Sequence, residues 1–223
     1  MMLSIRRTFG AAIFTMFSLQ ANAGLIHQFD FINMNAPEVL PQIDMYDAGL
    51  ALQVSGWTTS FNSDGEQKES WQPVSFPGIF YADLGLGLIS SDDDGPFLDG
   101  GSSSYYDEDP DEGFLLVFSH TVSLDMMFFE GVGRSDDINI SLVDFSSGIP
   151  ELQISFHDIE PEFGVIAAND PSSALVGKAF MLWVDGDDDS VALAGLQVTR
   201  VPLPATAPLM ALGLVMLRRF RRG

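Results

Sequence analysis

The sequence predicts an all-β protein, a single β-sandwich domain of jelly-roll kind between two short apolar terminal segments. Apolar and aromatic residues recur in short runs with a period of two, the spacing of half-buried strands. Turn-forming pairs such as Asp64-Gly65 and Asp185-Gly186 separate these runs. No window between the two ends sustains a helical period with capping residues. Such short, evenly spaced strands favour a sandwich with phenylalanine-rich inner faces.

Ten segments of the body have the composition of strands. They are 25–32, 48–55, 70–76, 84–90, 114–118, 122–129, 138–143, 152–156, 178–184 and 191–201. The first shows the alternation best, because Leu25, His27, Phe29 and Phe31 share one face. We expect this face to pack inward.

The N-terminus has the pattern of a secretory signal. Two arginines precede an apolar run over 9–19, and Ala21 and Ala23 supply the small residues of a cleavage site. The mature chain is therefore expected to begin at Gly24. An uncleaved membrane anchor is the alternative, although a run of eleven residues is too short for a lasting transmembrane helix.

The C-terminus has three parts in series. A proline-rich motif, Val201-Pro202-Leu203-Pro204-Ala205, precedes an apolar run to Leu217 and a basic end. Its prolines lack amide donors and bias the preceding residues toward extended backbone, which keeps the motif out of strands and helices. As a helix, 205–217 would span about 20 Å against a hydrocarbon core of about 30 Å, a marginal span. The basic end favours the cytoplasmic side and places the body outside; its residues are Arg218, Arg219, Arg221 and Arg222.

At these residues the chain resembles the PEP-CTERM group of bacterial sorting tails, in its VPLPA variant. The resemblance covers about a tenth of the chain. It implies that an exosortase, a membrane transpeptidase, recognises and cuts the tail in a Gram-negative bacterium that also makes exopolysaccharide. Leu203 stands where the commoner pattern has glutamate. An ordinary C-terminal membrane anchor is the alternative.

Together the two ends predict one route of export. Residues 1–23 form the signal peptide, 24–200 the acidic domain and 201–223 the sorting tail. The secretion machinery and signal peptidase act first, and the tail then holds the precursor transiently in the inner membrane. The resemblance implies a final location at the cell surface or in the extracellular matrix, with extracellular polysaccharide as a further partner.

The body is strongly acidic. Six of the ten basic residues lie in the terminal segments, and all 31 acidic residues lie in the body. Four basic residues against 31 acidic ones leave a formal charge of −27 over 24–200. Such a surface repels nucleic acid and attracts divalent cations. The chain has no cysteine, which excludes disulfides, thiolate metal sites and thiol catalysis.

Acidic loop clusters supply the candidate metal ligands, because calcium takes six to eight oxygen atoms. An EF-hand starting at Asp185 is excluded, since its sixth position is Ser190 and its twelfth is Leu196. A calcium site in the loop over 90–112 is the sharper hypothesis, and a solvated acidic loop is the alternative. The candidate ligands are Asp92, Asp94, Asp99 and Glu112.

Catalytic patterns are sparse. His27, His120 and His157 lack the spacing of a zinc site, and each is expected on a strand face. The sequence contains no nucleophile elbow and no phosphate-binding loop.

Aromatic residues offer one possible binding face. Trp57, Trp71 and Trp183, with Tyr105 and Tyr106, would stack on sugar rings if they were exposed. Burial in the core is the alternative, and it is the usual place for strand aromatics.

The middle of the body also resembles the exported domains that carry this kind of tail. The resemblance rests on Leu84-Gly85-Leu86-Gly87, the acidic loop, and Glu112 before the aromatic segment 114–118. It implies a fold type and no activity.

Two function classes remain. A non-catalytic surface or matrix protein is favoured, because the motifs concern transport and nucleophile signatures are absent. The alternative is a secreted hydrolase that acts on polysaccharide or peptide through loop carboxylates placed across a cleft.

Signal cleavage gives a direct prediction. The membrane-held precursor should begin at Gly24, because Ala21 and Ala23 provide the small side chains that the cleavage site requires. N-terminal sequencing of that precursor measures the start. Retention of residues 1–23 would instead mean a chain anchored at both ends.

Overall fold

The computed structural model describes residues 24–32, 38–59, 70–74, 78–82, 84–90, 97–99, 111–133, 136–167, 175–184 and 189–202. Within these residues the protein is all-β, as predicted, and the pairings are antiparallel in one large sheet. Over the same ranges, no helix is long and apolar enough to span a membrane.

Fourteen strands are described, and they are numbered in chain order. They are β1 (Ile26–Asp30), β2 (Glu38–Leu40), β3 (Gln42–Asp47), β4 (Leu50–Thr59), β5 (Gln72–Pro73), β6 (Gly78–Ala82), β7 (Gly85–Ile89), β8 (Leu98–Asp99), β9 (Asp111–Glu130), β10 (Ile138–Asp144), β11 (Glu151–Ile159), β12 (Val165–Ala167), β13 (Val176–Trp183) and β14 (Ser190–Arg200).

The contacts divide the chain into two units. One unit is Ile26–Arg200, and it contains all of the described strands. The other consists of the two chain ends, Met1–Leu25 and Val201–Gly223. Of these ends the structure describes Gly24, Leu25, Val201 and Pro202.

The longest strand, β9, pairs with different neighbours along its length. Its first part pairs with β4 on one side and β13 on the other. Its second part pairs with β14 and β12. The sequence predicted two strands here, 114–118 and 122–129, and this was wrong. The polar residues between them continue the strand, and Ser119 Oγ accepts a hydrogen bond from the Ala51 backbone N–H at 3.0 Å.

Five strands were not predicted: β2, β3, β6, β8 and β12. Three of them, β2, β8 and β12, have only two or three residues, too few for any period to be detected. β3 is largely polar, and Ile43 is its one fully buried side chain. Such strands exist because a longer neighbour offers an edge to pair with.

The main core takes side chains from strands distant in sequence. The ring of Phe118 in β9 lies 6.0 Å from that of Phe29 in β1 and 6.0 Å from that of Phe180 in β13. The predicted inward face of the first strand is confirmed for His27, Phe29 and Phe31, all buried. Leu25 is instead 52% exposed, because it precedes the first paired residue of β1.

Two glycines with positive φ predict a graded loss of stability. Gly85 has φ 123°, and a Cβ there would lie 2.5 Å from the Leu193 carbonyl oxygen in β14. Gly49 has φ 86° and no atom within 4 Å of such a Cβ. Backbone strain alone should make Gly49→Ala lower the free energy of unfolding by about 1–2 kcal/mol. Strain plus displacement of β7 from β14 should make Gly85→Ala lower it by about 3 kcal/mol or more.

Chemical denaturation of the two variants, followed by circular dichroism, measures the difference. Equal losses would show that β7 does not pack closely on the β14 backbone.

Candidate functional site

The predicted calcium ligands are only partly described. Asp99 ends β8 opposite Ser190, and Glu112 is a fully buried residue of β9. Asp92 and Asp94 lie outside the described residues. In the part of the chain that the structure covers, no group of three or more acidic or histidine side chains is placed to hold a metal ion. The calcium site in the 90–112 loop therefore stays a prediction.

Four described carboxylates are buried in segments that strand pairing brings toward one end of the sheet. We call this region the acidic end and define it by Asp111, Glu112, Asp136 and Asp189, each at most 7% exposed. The Asp137 backbone N–H donates to Asp189 Oδ1 at 3.0 Å, and the Gly133 N–H donates to Asp136 Oδ2. A carboxylate is costly to bury without such hydrogen bonds.

Strand pairing explains why these distant segments meet. The Val184 backbone N–H donates to the Glu112 carbonyl at 3.2 Å, which joins the end of β13 to the start of β9. Asn139 of β10 pairs with Trp183 of β13. The loops that precede β9, β10 and β14 therefore converge. The sequence showed the acidic residues of these loops, but their burial depends on the pairing.

The three tryptophans are buried. Trp57 is 6% exposed, Trp71 1% and Trp183 0%. They form a second apolar cluster, in which the rings of Trp71 and Trp183 lie 6.1 Å apart in an edge-on arrangement. In this arrangement they have no free face for a sugar ring, so the core alternative is correct for them. Tyr105 and Tyr106 lie outside the described residues.

The histidines lie on strands, as predicted. His27, in β1, is fully buried, and its Nδ1 is 3.2 Å from Asp47 Oδ2, which also accepts the Gln28 backbone N–H. Asp47 thereby ties β1 to β3. His120 lies in β9 with its Nδ1 3.0 Å from Ser119 Oγ, and His157 packs edge-on against Trp183. These contacts are structural.

One exposed carboxylate has a shifted pKa. Hydrogen bonds from the backbone and then the side chain of Ser146 lower the pKa of Asp144, the last residue of β10. These contacts favour the ionised form, which is not the form that a general acid needs.

A cleft of about 280 Å³ lies on the outer face of the sheet. It is bordered by β1, β9, β14 and the turn before β12. Asp30, Gly195 and Phe128 form one row across three strands, with the glycine in the middle. We call this space the outer cleft; its main lining residues are Gln28, Asp30, Phe128, Glu130, Phe163 and Gly195.

The turn beside the outer cleft has an unusual residue. The backbone N–H of Val165 donates to the Glu162 carbonyl at 3.1 Å across a two-residue turn. Phe163 and Gly164 at its centre have φ of 54° and 75°, the pattern of a type I′ turn. Phe163 is fully exposed. Sequence reasoning missed this site, because its residues come from four separate segments and match no motif.

The predicted processing signals fall mostly outside the described residues. Val201 and Pro202 follow β14 without regular secondary structure, and Gly24 precedes β1. The residues beyond the described ranges are Ala21, Ala23, Leu203, Pro204, Ala205, Arg218, Arg219, Arg221 and Arg222.

Comparisons of the chain with protein-family models, with curated proteins and with solved structures give no match.

Proposed function

We propose that this chain is an exported, non-catalytic surface or extracellular-matrix protein whose tail is processed by an exosortase. The observation that carries the proposal is the series of secretory signal, acidic body and Val201-Pro202-Leu203-Pro204-Ala205 tail. The position of β14 supports it, because this strand ends at Arg200, directly before the motif. A cutting site next to the folded body would release that body with almost no stalk.

The proposed partners follow from this route. Signal peptidase and the secretion machinery act on the N-terminus, and the inner membrane holds the precursor until exosortase cuts the tail. The mature body would lie at the cell surface or among extracellular polysaccharide. Its charge of −27, from four basic and 31 acidic residues, keeps it from nucleic acid and anionic lipid.

We further propose that the sheet closes into a β-sandwich of jelly-roll kind. The main core supports this, since it contains Leu52 of β4 and Leu86 of β7, which pair with different strands. Gly56 of β4 gives a second support. A Cβ at Gly56 would collide with the Leu88 side chain of β7, and these two strands do not pair with each other. Strands that touch through side chains without pairing are typical of packed sheets.

Calcium is the cofactor that we propose for the body. The support is the acidic composition of the loop over 90–112, with Asp92, Asp94, Asp99 and Glu112 as the candidate ligands in a domain of charge −27. A bound divalent cation would reduce the repulsion among these carboxylates, and oxygen-rich loops are the sites that calcium prefers.

A secreted hydrolase is the alternative function. The sequence predicts that it would act through loop carboxylates; among the described residues, Asp30 and Glu130 are the carboxylates that line the outer cleft. In lysozyme-type enzymes, however, the acid catalyst sits in a desolvated apolar pocket. Asp30 and Glu130 are exposed, so the outer cleft lacks that environment and the non-catalytic function is favoured.

The tail motif gives the decisive prediction. Replacing Pro202 and Pro204 together by alanine should leave export intact and block tail removal, because the extended recognition element is lost. Intact-mass spectrometry of membrane and extracellular fractions measures both steps. Pro208→Ala, outside the motif, is the matched control and should be trimmed normally. Normal trimming of the double variant would overturn the sorting proposal.

Calcium binding gives a second prediction. The full chain, purified in a neutral maltoside detergent, should melt at a higher temperature in calcium than in magnesium of equal ionic strength. Calcium at 100 times its dissociation constant adds about 2.7 kcal/mol, or several degrees. Asp92→Asn combined with Asp94→Asn should shrink the difference between the melting temperatures in the two metals, while Asp144→Asn, at the exposed end of β10, should not. Equal melting temperatures in calcium and in magnesium would mean that the ions only screen the negative charges of the domain.

A further inference from the structure

Two unfavourable features coincide at Phe163. Its φ of 54° belongs to the left-handed region, which bulky side chains rarely adopt, and its side chain is fully exposed. Asparagine, aspartate or glycine is the usual residue at the first central position of a type I′ turn. Neither turn formation nor core packing therefore accounts for a phenylalanine here. Strained residues of this kind cluster at functional sites.

The turn is fixed against β9. Phe129 donates its backbone N–H to the Gly164 carbonyl at 2.7 Å, and a Cβ on Gly164 would collide with the Phe129 carbonyl oxygen. The backbone of the turn that carries Phe163 is thus held in place relative to Phe128 and Glu130, the β9 residues that line the outer cleft.

The floor of the outer cleft is kept open by small residues. A Cβ at Gly195 would lie 2.9 Å from the Phe29 carbonyl oxygen and 3.6 Å from the Phe128 ring. Ala194 is the other β14 residue in the lining. The volume of the outer cleft is about 280 Å³. About nine water molecules occupy that volume in liquid water, so the cleft can hold one small organic group.

The lining determines which group fits. Asp30 and Glu130 bring negative charge, and Phe128 and Phe163 bring aromatic rings with negative faces. Among the described residues that line the outer cleft there is no Lys, Arg or His. A metal ion would find few oxygen ligands beside aromatic walls, and an anion would be repelled. Aromatic faces next to carboxylates attract organic cations.

We propose that the outer cleft binds a small organic ammonium group, with the alkyl substituents against Phe128 and Phe163 and the charge shared by Asp30 and Glu130. This goes beyond the proposed function and does not rest on it. A surface protein with such a site would attach to molecules that carry alkylammonium groups.

Choline and its neutral carbon isostere, 3,3-dimethylbutan-1-ol, test the proposal. Calorimetric titration of the full chain in maltoside detergent and physiological salt should show saturable choline binding. The isostere has the same shape without the charge, so it should bind at least fivefold more weakly. Equal affinity for both compounds, or no saturable choline binding up to tens of millimolar, would overturn the proposal.

Variants of single residues distinguish choline binding in the outer cleft from attraction by the overall negative charge of the domain. Phe163→Asn supplies the residue that the turn prefers, so it should keep or raise the melting temperature while choline affinity falls at least fivefold. Asp30→Asn and Glu130→Gln should each weaken binding several-fold. Tyr46→Asn removes another exposed aromatic ring, on β3, and should leave affinity unchanged. Unchanged affinity in Phe163→Asn, or an equal loss in Tyr46→Asn, would show that the outer cleft is not the site.

Discussion

The fold depends on the backbone hydrogen bonding of β9. A strand of 20 residues in the middle of a sheet must satisfy its N–H and C=O groups on both sides along its whole length. It does so by changing partners, with β4 and β13 along its first part and β14 and β12 along its second. Strands from the beginning, middle and end of the domain are thereby held together.

Charged side chains and the apolar core occupy separate parts of the described body. The 31 acidic residues far outnumber the basic ones, and the chain has no cysteine, so apolar packing carries the stability of the described body. Phenylalanine rings join β1, β9 and β13, and tryptophans fill a second cluster. Carboxylates are buried mainly where loops converge at the acidic end.

The acidic end and the outer cleft differ in how they arise. The acidic end forms because loops follow strands that pair, whereas the outer cleft forms because Gly195 leaves a gap in the row between Asp30 and Phe128. Its exposed ring, Phe163, belongs to a turn that would be more stable with another residue. The tryptophans, for which the sequence left a sugar-binding face as the alternative to the core, lie in the core.

The sequence by itself determined the all-β class, the inward face of β1 and the strand positions of the histidines, because these follow from local period and turn chemistry. The tertiary structure alone decided that 114–118 and 122–129 are one strand, since the partners on either side continue past the polar residues between them. It also decided that Glu112 is buried and that Asp30, Phe128 and Phe163 share a cleft. Burial and proximity depend on pairing between distant segments, and no local pattern in the chain records that register.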